Sequence, residues 1–480
     1  MAETTAPVIV WFRQDLRLSD NPALQAAAAT DSPLIAVYIL DDEAPGDWRP
    51  GGASRWWLHH SLASLASDIE QTGGRLVFMK GAAQSQLDAL IEDTGAEAVF
   101  WNRQYEPWAR ERDEAIKTAL KDRQIKARSF NGSLIVEPWD IATKTGNPYK
   151  VFTPFWKSLK ADHVPAEPTG RPDGLHFDKY EEGLALEDLD LLPTQPDWSG
   201  GLRDSWTPGE AAAQGRLGQF LKDAVSDYSD RRNLPGQSGT SRLSPHLHFG
   251  EISPRQVWHK VKQSSHARTD GADTYLSEIA WREFSYNLLY HFPDLPEANF
   301  QSKFEAFEWD DNLDALKAWR KGQTGYPIVD AGMRELWATG WMHNRVRMIV
   351  ASFLIKDLFL HWREGENWFW DTLVDADLAS NSASWQWTAG SGADAAPYFR
   401  VFNPVGQSEK FDPKGDYLRK WIPELADLPD KVIHAPWTAD RSVLSKAGVT
   451  LGETYPEPIV DHGEARKRAL AAFEKIKDSG

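Results

Sequence analysis

From Trp341 to Asn403 the chain reads WMHNRVRMIVASFLIKDLFLHWREGENWFWDTLVDADLASNSASWQWTAGSGADAAPYFRVFN, with tryptophans, arginines and amides packed more densely than a buried helix pair requires. Leu and Ile alone would build such a pair, yet Trp341, Asn344, Arg345, Arg347 and Met348 fall within two turns. Ring, amide and guanidinium groups so mixed suit a ligand that is flat, polar and anionic. Upstream, Glu278, Trp281, Arg282 and Ser285 fall at i, i+3, i+4 and i+7, the spacing that puts a carboxylate, an indole and a guanidinium on one helix face. Trp341, Asn344, Arg345, Met348 and Ser352 repeat that geometry. A solvated ion pair with an inward tryptophan would explain either face alone, but two such faces are hard to assign to a core.

Two further segments carry polar groups at chosen places. GQSGTSRLS, Gly236 to Ser244, sets Ser238, Thr240, Ser241 and Ser244 beside two glycines just ahead of a helix start, which suits a pyrophosphate as well as it suits a flexible capped loop. Asp375 and Asp377 precede Asn381, Trp385 and Trp387, so acids and indoles point at one ligand or cap a helix start. No His or further carboxylate lies near the two acids to complete a coordination shell, and no metal is expected.

The elements that must hold these groups change along the chain. Apolar runs at Val8–Phe12, Leu34–Leu40, Arg75–Met79 and Ala98–Trp101 alternate with helical patterns such as Ser54–Ile69, which predicts an α/β domain with a doubly wound parallel sheet. Neither GxGxxG nor GxxxxGK[ST] occurs there, so ordinary dinucleotide or triphosphate binding has no sequence support. Lys160 to Pro208 breaks into Pro, Gly and acidic residues and reads as a long surface connector. Beyond it helical periodicity dominates; Ser244-Pro245 and Ser253-Pro254 read as N-caps, and the segment after Glu464 as a short amphipathic helix. The expected division is 1–132, an α/β domain; 133–208, a linker; and 209–480, an all-α domain.

Composition narrows the function. The 480 residues exceed what one core normally serves, and 23 Trp far exceed normal usage while 41% hydrophobic and 26% charged are ordinary globular values. A net charge of −17 excludes a polycation that coats nucleic acid, leaving only a local basic patch. With no Cys the chain has no disulfide, thiolate metal site or cysteine nucleophile. MAETTAPVIVWFRQDLRL lacks a signal peptide's basic start and apolar core, and no apolar stretch is long enough to span a bilayer, so a cytoplasmic protein is expected.

WREF at Trp281, TGYPIVDAGM at Thr324, GWMHNRVRM at Gly340, and DADLASNSASWQW through APYFR resemble the photolyase and cryptochrome family, as does VWFRQDLRLSDNPAL near the N-terminus. RWWLHHSL and SPHLHFGE are similar to plant cryptochromes and the bacterial photolyases related to them. The resemblance covers nearly the whole chain. It implies a cyclobutane pyrimidine dimer photolyase, a monomer acting on UV-damaged DNA by light-driven electron transfer from reduced FAD to a flipped-out dimer. The alternative is a cryptochrome-type photoreceptor, against which stand Asn381, where plant cryptochromes typically carry Asp, and the lack of a long C-terminal extension. A thermal flavin oxidoreductase would need a nicotinamide site or an acid–base group, and the sequence displays neither.

Carried over by residue, the resemblance makes Tyr228, Thr240, Ser241, Arg242, Leu243 and Ser244 contacts to the adenine and phosphates of FAD. It places Tyr275, Glu278, Arg282, Trp341, Asn344, Arg347, Asp375, Asp377 and Asn381 around the cofactor. Trp281, Trp387, Glu278, Asn344 and Met348 would meet the lesion, and Arg232, Arg345 and Arg400 the DNA backbone. Asn344, where the branch repairing (6-4) photoproducts generally has His, favours cyclobutane dimers. Trp385, Trp362 and Trp309 match an electron-transfer chain, although each could be plain core. An antenna chromophore, 5,10-methenyltetrahydrofolate, is expected in or near the α/β domain. In YEPWARERD, however, Trp108 and Ala109 stand where some folate-binding relatives have Asn and Glu.

Overall fold

The computed structural model describes residues 6–395 and 399–477. Of the APYFR motif, positions 396–398 lie outside the described residues. By internal contact the chain divides into two units, one of Met1–Ser226, Ser241–Pro293 and Val374–Ala379, the other of Asp227–Thr240, Asp294–Leu373 and Ser380–Gly480.

In the first unit, β1 (Val8–Phe12), β2 (Leu34–Leu40), β3 (Leu76–Lys80), β4 (Ala98–Asn102) and β5 (Lys126–Phe130) form one parallel sheet in the order β3-β2-β1-β4-β5. β1, β2 and β4 are buried along their full length, as expected of parallel strands covered on both faces. α1 (Pro22–Ala28), α2 (Gly52–Glu70), α3 (Ala83–Thr94) and α4 (Pro107–Asp122) alternate with the strands. The first four strands fall where the apolar runs predict them. β5, with the sequence KARSF, has no such run: it is an edge strand with its charged residues turned to solvent.

The connector is less free than its composition suggests. Phe177 bridges Leu34 of β2, Leu184 bridges Phe78 of β3, and the backbone N–H groups of Leu34 and Leu184 donate to His176 and Phe78. It therefore lies along the sheet and satisfies backbone groups that would otherwise stand open.

The sheet's strand order reverses between β1 and β4, where α/β proteins commonly bind ligands. Here side chains of the protein fill that crevice. Arg13 makes two 2.9 Å hydrogen bonds to Asp113 and another to the carbonyl of Asn102; Trp101 donates to Asp113 at 3.0 Å. Arg17 donates to the carbonyls of Asp20, Gly132 and Gly250, each at 2.7 Å. Gly132 is required: a Cβ there would stand 2.6 Å from the Asn102 side chain.

The second unit is helical, including Leu313–Arg320, Pro327–Thr339, Asn344–Ser352, Trp362–Thr372 and His462–Ile476. The last is the predicted C-terminal helix. Phe353–Asp357 forms a π-helical turn. No helix among the described residues is long and apolar enough to cross a membrane.

Removing a partner from a buried ion pair strands a charge, so Asp113→Ala is expected to cost about 3–5 kcal/mol in denaturant unfolding. A loss below about 1 kcal/mol would mean that water reaches Arg13 and that the crevice is not sealed.

Candidate functional site

Helix Asp270–His291, capped by Thr269, presents Glu278, Trp281, Arg282 and Ser285 on one face as their spacing predicts. The half-buried Trp281 stacks flat on Phe152 of the helix Phe152–Asp162, with centroids 3.8 Å apart and planes at 8°. One indole face is thereby fixed. Arg282 donates to the Ser133 carbonyl at 2.8 Å, and its guanidinium lies 4.7 Å from the Tyr286 ring.

Asp375 and Asp377 sit in the turn ahead of helix Leu378–Ala389. Asp377 accepts from Tyr286 at 2.5 Å and meets His248 Nδ1 at 3.4 Å. Burial opposes its charge, yet the His248 and Tyr286 hydrogen bonds and the Arg282 charge outweigh burial and hold its carboxyl well below the usual range. An ionised, fully buried carboxylate of this kind can orient a polar ring edge. Among the described residues no group of three or more His, Asp or Glu could hold a metal.

In the loop Thr240 to Ser244, Tyr275 donates to Ser241 Oγ at 3.1 Å, Leu243 is buried and Ser244 is exposed. Arg242 adopts φ +52°, the left-handed region, with its guanidinium 4.2 Å from the Trp206 ring. Ser244 is not the N-cap expected from Ser-Pro. It is the first residue of a five-residue helix, Leu243 holds the cap position, and no side chain caps it. So short a helix adds little dipole, which leaves hydroxyls and a guanidinium as the groups this loop can turn to an anion. At Ser253 the expected cap is present, accepting from the Gln256 N–H in a reciprocal capping box.

In the second unit, Asn381 is buried on helix Leu378–Ala389, and its Nδ2 donates to the Glu366 carbonyl at 3.1 Å. That bond uses one of the amide's two N–H donors and leaves the other N–H and the oxygen as groups it can present. Burial pushes the Glu366 carboxyl up to about 8, while Ser382 donates to it at 2.6 Å. Trp385 lies against Gly365, where any Cβ would collide with the indole, and packs on Phe369 with centroids 5.0 Å apart. Trp362 is fully buried and donates to Asn299 at 3.0 Å. The His361 ring lies 5.5 Å from Trp362 and 5.2 Å from Trp309. Trp387 donates to the Asp394 carbonyl at 3.1 Å.

Trp341 does not share a helix with Asn344, contrary to the repeat read in sequence. Helix Asn344–Ser352 starts at Asn344 because His343 caps it, accepting from the Arg345 N–H. Trp341 is buried in the turn before it. The exposed Asn344 and the half-buried Arg345, Arg347 and Met348 lie on the helix itself. Arg345 makes two bonds to Asn233 Oδ1, at 3.1 and 2.8 Å, and Arg347 donates to the Met342 carbonyl at 2.8 Å. Burial, then the charges of Arg345, Arg347 and Arg232, pushes His343 down to about 3. These three arginines therefore form a local positive rim on an acidic protein. Arg232 lies 5.6 Å over the buried Tyr228, and Arg400 is exposed.

His248, Tyr286, His343 and Glu366 escaped sequence reasoning. Their partners lie 129, 91 and 16 positions away for the first, second and last, so no local spacing could mark them.

Residues 8–173 match the family model described as DNA photolyase, and residues 275–475 the model described as FAD binding domain of DNA photolyase. The chain is 53% identical to the deoxyribodipyrimidine photo-lyase of Agrobacterium fabrum, over 99% of both chains. It is 41% identical to cryptochrome-2 of Arabidopsis thaliana, covering 98% of this chain and 79% of that one. Among solved structures, a bacterial class III photolyase from Agrobacterium tumefaciens superposes with a TM-score of 0.96 at 53% identity, covering 99% of each chain. A cryptochrome from Synechocystis sp. superposes at 0.90 with 31% identity, covering 98% of this chain and 100% of that one.

Glu366 generates a pH prediction. Its folded value near 8 exceeds the unfolded value of about 4.3, so its favourable contribution is complete below about pH 4 and is lost as pH rises through 8. Glu366→Gln, which stays neutral, is expected to flatten the fall in Tm between pH 5 and about 8.5 and to raise Tm at the alkaline end. An unchanged slope would mean that the Glu366 carboxyl is ionised at neutral pH.

Proposed function

The chain belongs to the DNA photolyase and cryptochrome family, and from that premise we propose that it is a light-driven DNA repair enzyme that splits cyclobutane pyrimidine dimers. The observation that carries this over a receptor role is Asn381: an amide tied to the Glu366 carbonyl can hydrogen-bond a flavin ring edge but supplies no proton readily. The whole-length likeness to a deoxyribodipyrimidine photo-lyase supports the same reading.

The residues fit FAD. The loop Thr240 to Ser244 brings hydroxyls and the Arg242 guanidinium to a left-handed turn, a donor set suited to a pyrophosphate. Tyr228, Leu243 and Tyr275 add buried surface for the adenine portion. Arg282, Trp341, Arg347, Asp375, Asp377 and Asn381 would hold the ring system. When bound, reduced FAD supplies on excitation the one electron that opens the cyclobutane ring and takes it back afterwards, with no net redox change.

The chain's own part is placement. Trp281 and Trp387 offer indole faces to an extruded dimer, Glu278 and Asn344 offer polar contacts, and Met348 an apolar one. A damaged pair costs less to flip than a sound one, by roughly a few kcal/mol at most, so the lesion partly selects itself. Arg232, Arg345 and Arg400 fix the DNA backbone without reading sequence. Trp385, Trp362 and Trp309 pass electrons inward, His361 lying beside the outer two. The enzyme works as a cytoplasmic monomer with an antenna pigment of the 5,10-methenyltetrahydrofolate type, on a division into residues 1–132, 133–208 and 209–480.

The reduced protein is expected to restore an oligonucleotide carrying one thymine dimer under blue light and to leave it unchanged in darkness. Persistence of the dimer in the light would leave a receptor role instead. Trp281→Ala is expected to weaken binding of dimer-containing DNA by about 1–3 kcal/mol through lost stacking, read by fluorescence anisotropy. Unchanged affinity would put the lesion elsewhere.

A further inference from the structure

Helix Asn344–Ser352 and the π-helical turn Phe353–Asp357 form one continuous stretch in the second unit, with Arg345 at its start. Toward its end the sequence is SFLIKDLFL, in which Phe353, Leu354, Ile355 and Phe359 are buried and Lys356 is only 3% exposed. Another aliphatic side chain would fill that position at no electrostatic cost, whereas taking an ammonium out of water is expensive unless it is bonded. Single π-turns of this kind recur at functional sites, and the repair residues named above account for neither the turn nor its lysine.

Lys356 Nζ donates to the Arg400 carbonyl at 2.5 Å and lies 4.3 Å from the centre of the Phe399 ring. One turn earlier on the same stretch, Ser352 Oγ accepts from the Phe402 N–H at 3.2 Å. Phe399 is itself seated in an aromatic cluster, stacked on Phe473 with centroids 4.8 Å apart and planes at 8°. The backbone on both sides of Arg400 is therefore held, while Arg400 itself is exposed. Asp357 is engaged elsewhere, meeting His462 Nδ1 at 2.5 Å on the first residue of helix His462–Ile476. Burial pushes the Lys356 ammonium down to about 7, with the charge of Asp357 opposing that shift and the charge of Arg400 adding to it. Those two are the charged groups acting on Lys356, and His462 reaches it only through Asp357.

We propose that Lys356, together with Ser352, is a positioning residue for DNA: the two ties set the Arg400 backbone on the same scaffold as Arg345, so that both guanidiniums meet phosphates without first ordering a loop. This rests on the reading of Arg345 and Arg400 as contacts to the DNA backbone. A side chain whose main chain is already fixed loses less freedom on binding than one carried by a free segment. Lys356 acts through Arg400 and, being buried, touches no DNA itself.

The test measures binding of duplex DNA carrying one thymine dimer by the full, FAD-loaded protein over a range of salt concentrations. The variants are Arg400→Ala, Lys356→Met, Ser352→Ala, and each of the last two combined with the first. Losing one phosphate contact lowers the slope of log affinity against log salt by about 1, and Arg400→Ala is expected to show that drop. Lys356→Met should show a drop of the same sign and at most that size, and should add nothing to Arg400→Ala, because residues that act through one contact are not additive. As pH rises through about 7 the ammonium is lost, so wild-type affinity should fall between about pH 6 and 8.5, and Lys356→Met should flatten that fall. FAD content and the repair rate at saturating DNA should stay at wild-type levels. If Lys356→Met does not retain FAD, Ser352→Ala carries the same salt comparison with the same expected result. A full slope in Lys356→Met beside a reduced one in Arg400→Ala, a loss that adds to that of Arg400→Ala, or a pH fall of unchanged size overturns the positioning role and leaves the DNA contact standing. An unchanged slope in Arg400→Ala overturns both.

Discussion

A buried charge must be paired or neutralised, and Asp377 is where that constraint organises the molecule. Its carboxylate has almost no access to water, so it stays ionised because His248 and Tyr286 hydrogen-bond it and the charge of Arg282 favours it. Tyr286 and Arg282 come from one helix and His248 from the segment after the Thr240 to Ser244 loop, so a single acid ties together three stretches that all carry candidate cofactor contacts. Glu366 resolves the same constraint the other way. Without a cation in contact it is held near neutrality by burial, and its backbone carbonyl anchors Asn381. Two acids of the same chemistry thus do different work: at Asp377 the His248 and Tyr286 hydrogen bonds and the Arg282 charge outweigh burial, whereas at Glu366 burial outweighs the Ser382 hydroxyl and the Arg363 charge.

What sequence revealed and what it hid follow from the range of the interaction. β1, β2 and β4 were legible because fully buried parallel strands read as continuous apolar runs, and β3, though at an edge, because Leu76–Phe78 is still buried, whereas β5 at the other edge tolerates charge. The face carrying Glu278, Trp281, Arg282 and Ser285 was legible because its period is that of the helix itself. The Phe152 stack beneath Trp281 was not, since it joins residues 129 positions apart through packing alone. Trp341 was misplaced because the His343 side chain caps a helix start at Asn344 that apolar spacing alone would set one turn earlier. Ser244 was misread for a related reason: a Ser-Pro pair fits a cap and also fits the first turn.

The tryptophan excess resolves into separate uses. Trp11 and Trp101 brace the charged network at the crevice of the sheet, with the Arg13 guanidinium 4.5 Å from the Trp11 ring. Trp309 and Trp362 flank His361, and Trp385 packs on Phe369. Trp337 and Trp368 face each other at a rim. An indole suits all three because it combines a large apolar face with one hydrogen-bond donor and a readily polarised ring. The acidity of the chain is also uneven, since burial and then the charges of Arg345, Arg347 and Arg232 suppress the charge of His343.

Gly365 shows how much depends on a missing atom. Because nothing larger than hydrogen fits there, the Trp385 indole is seated directly against the helix backbone. In the proposed relay, the distance from that indole to the next ring would then depend on the absence of a single methyl from one helical turn.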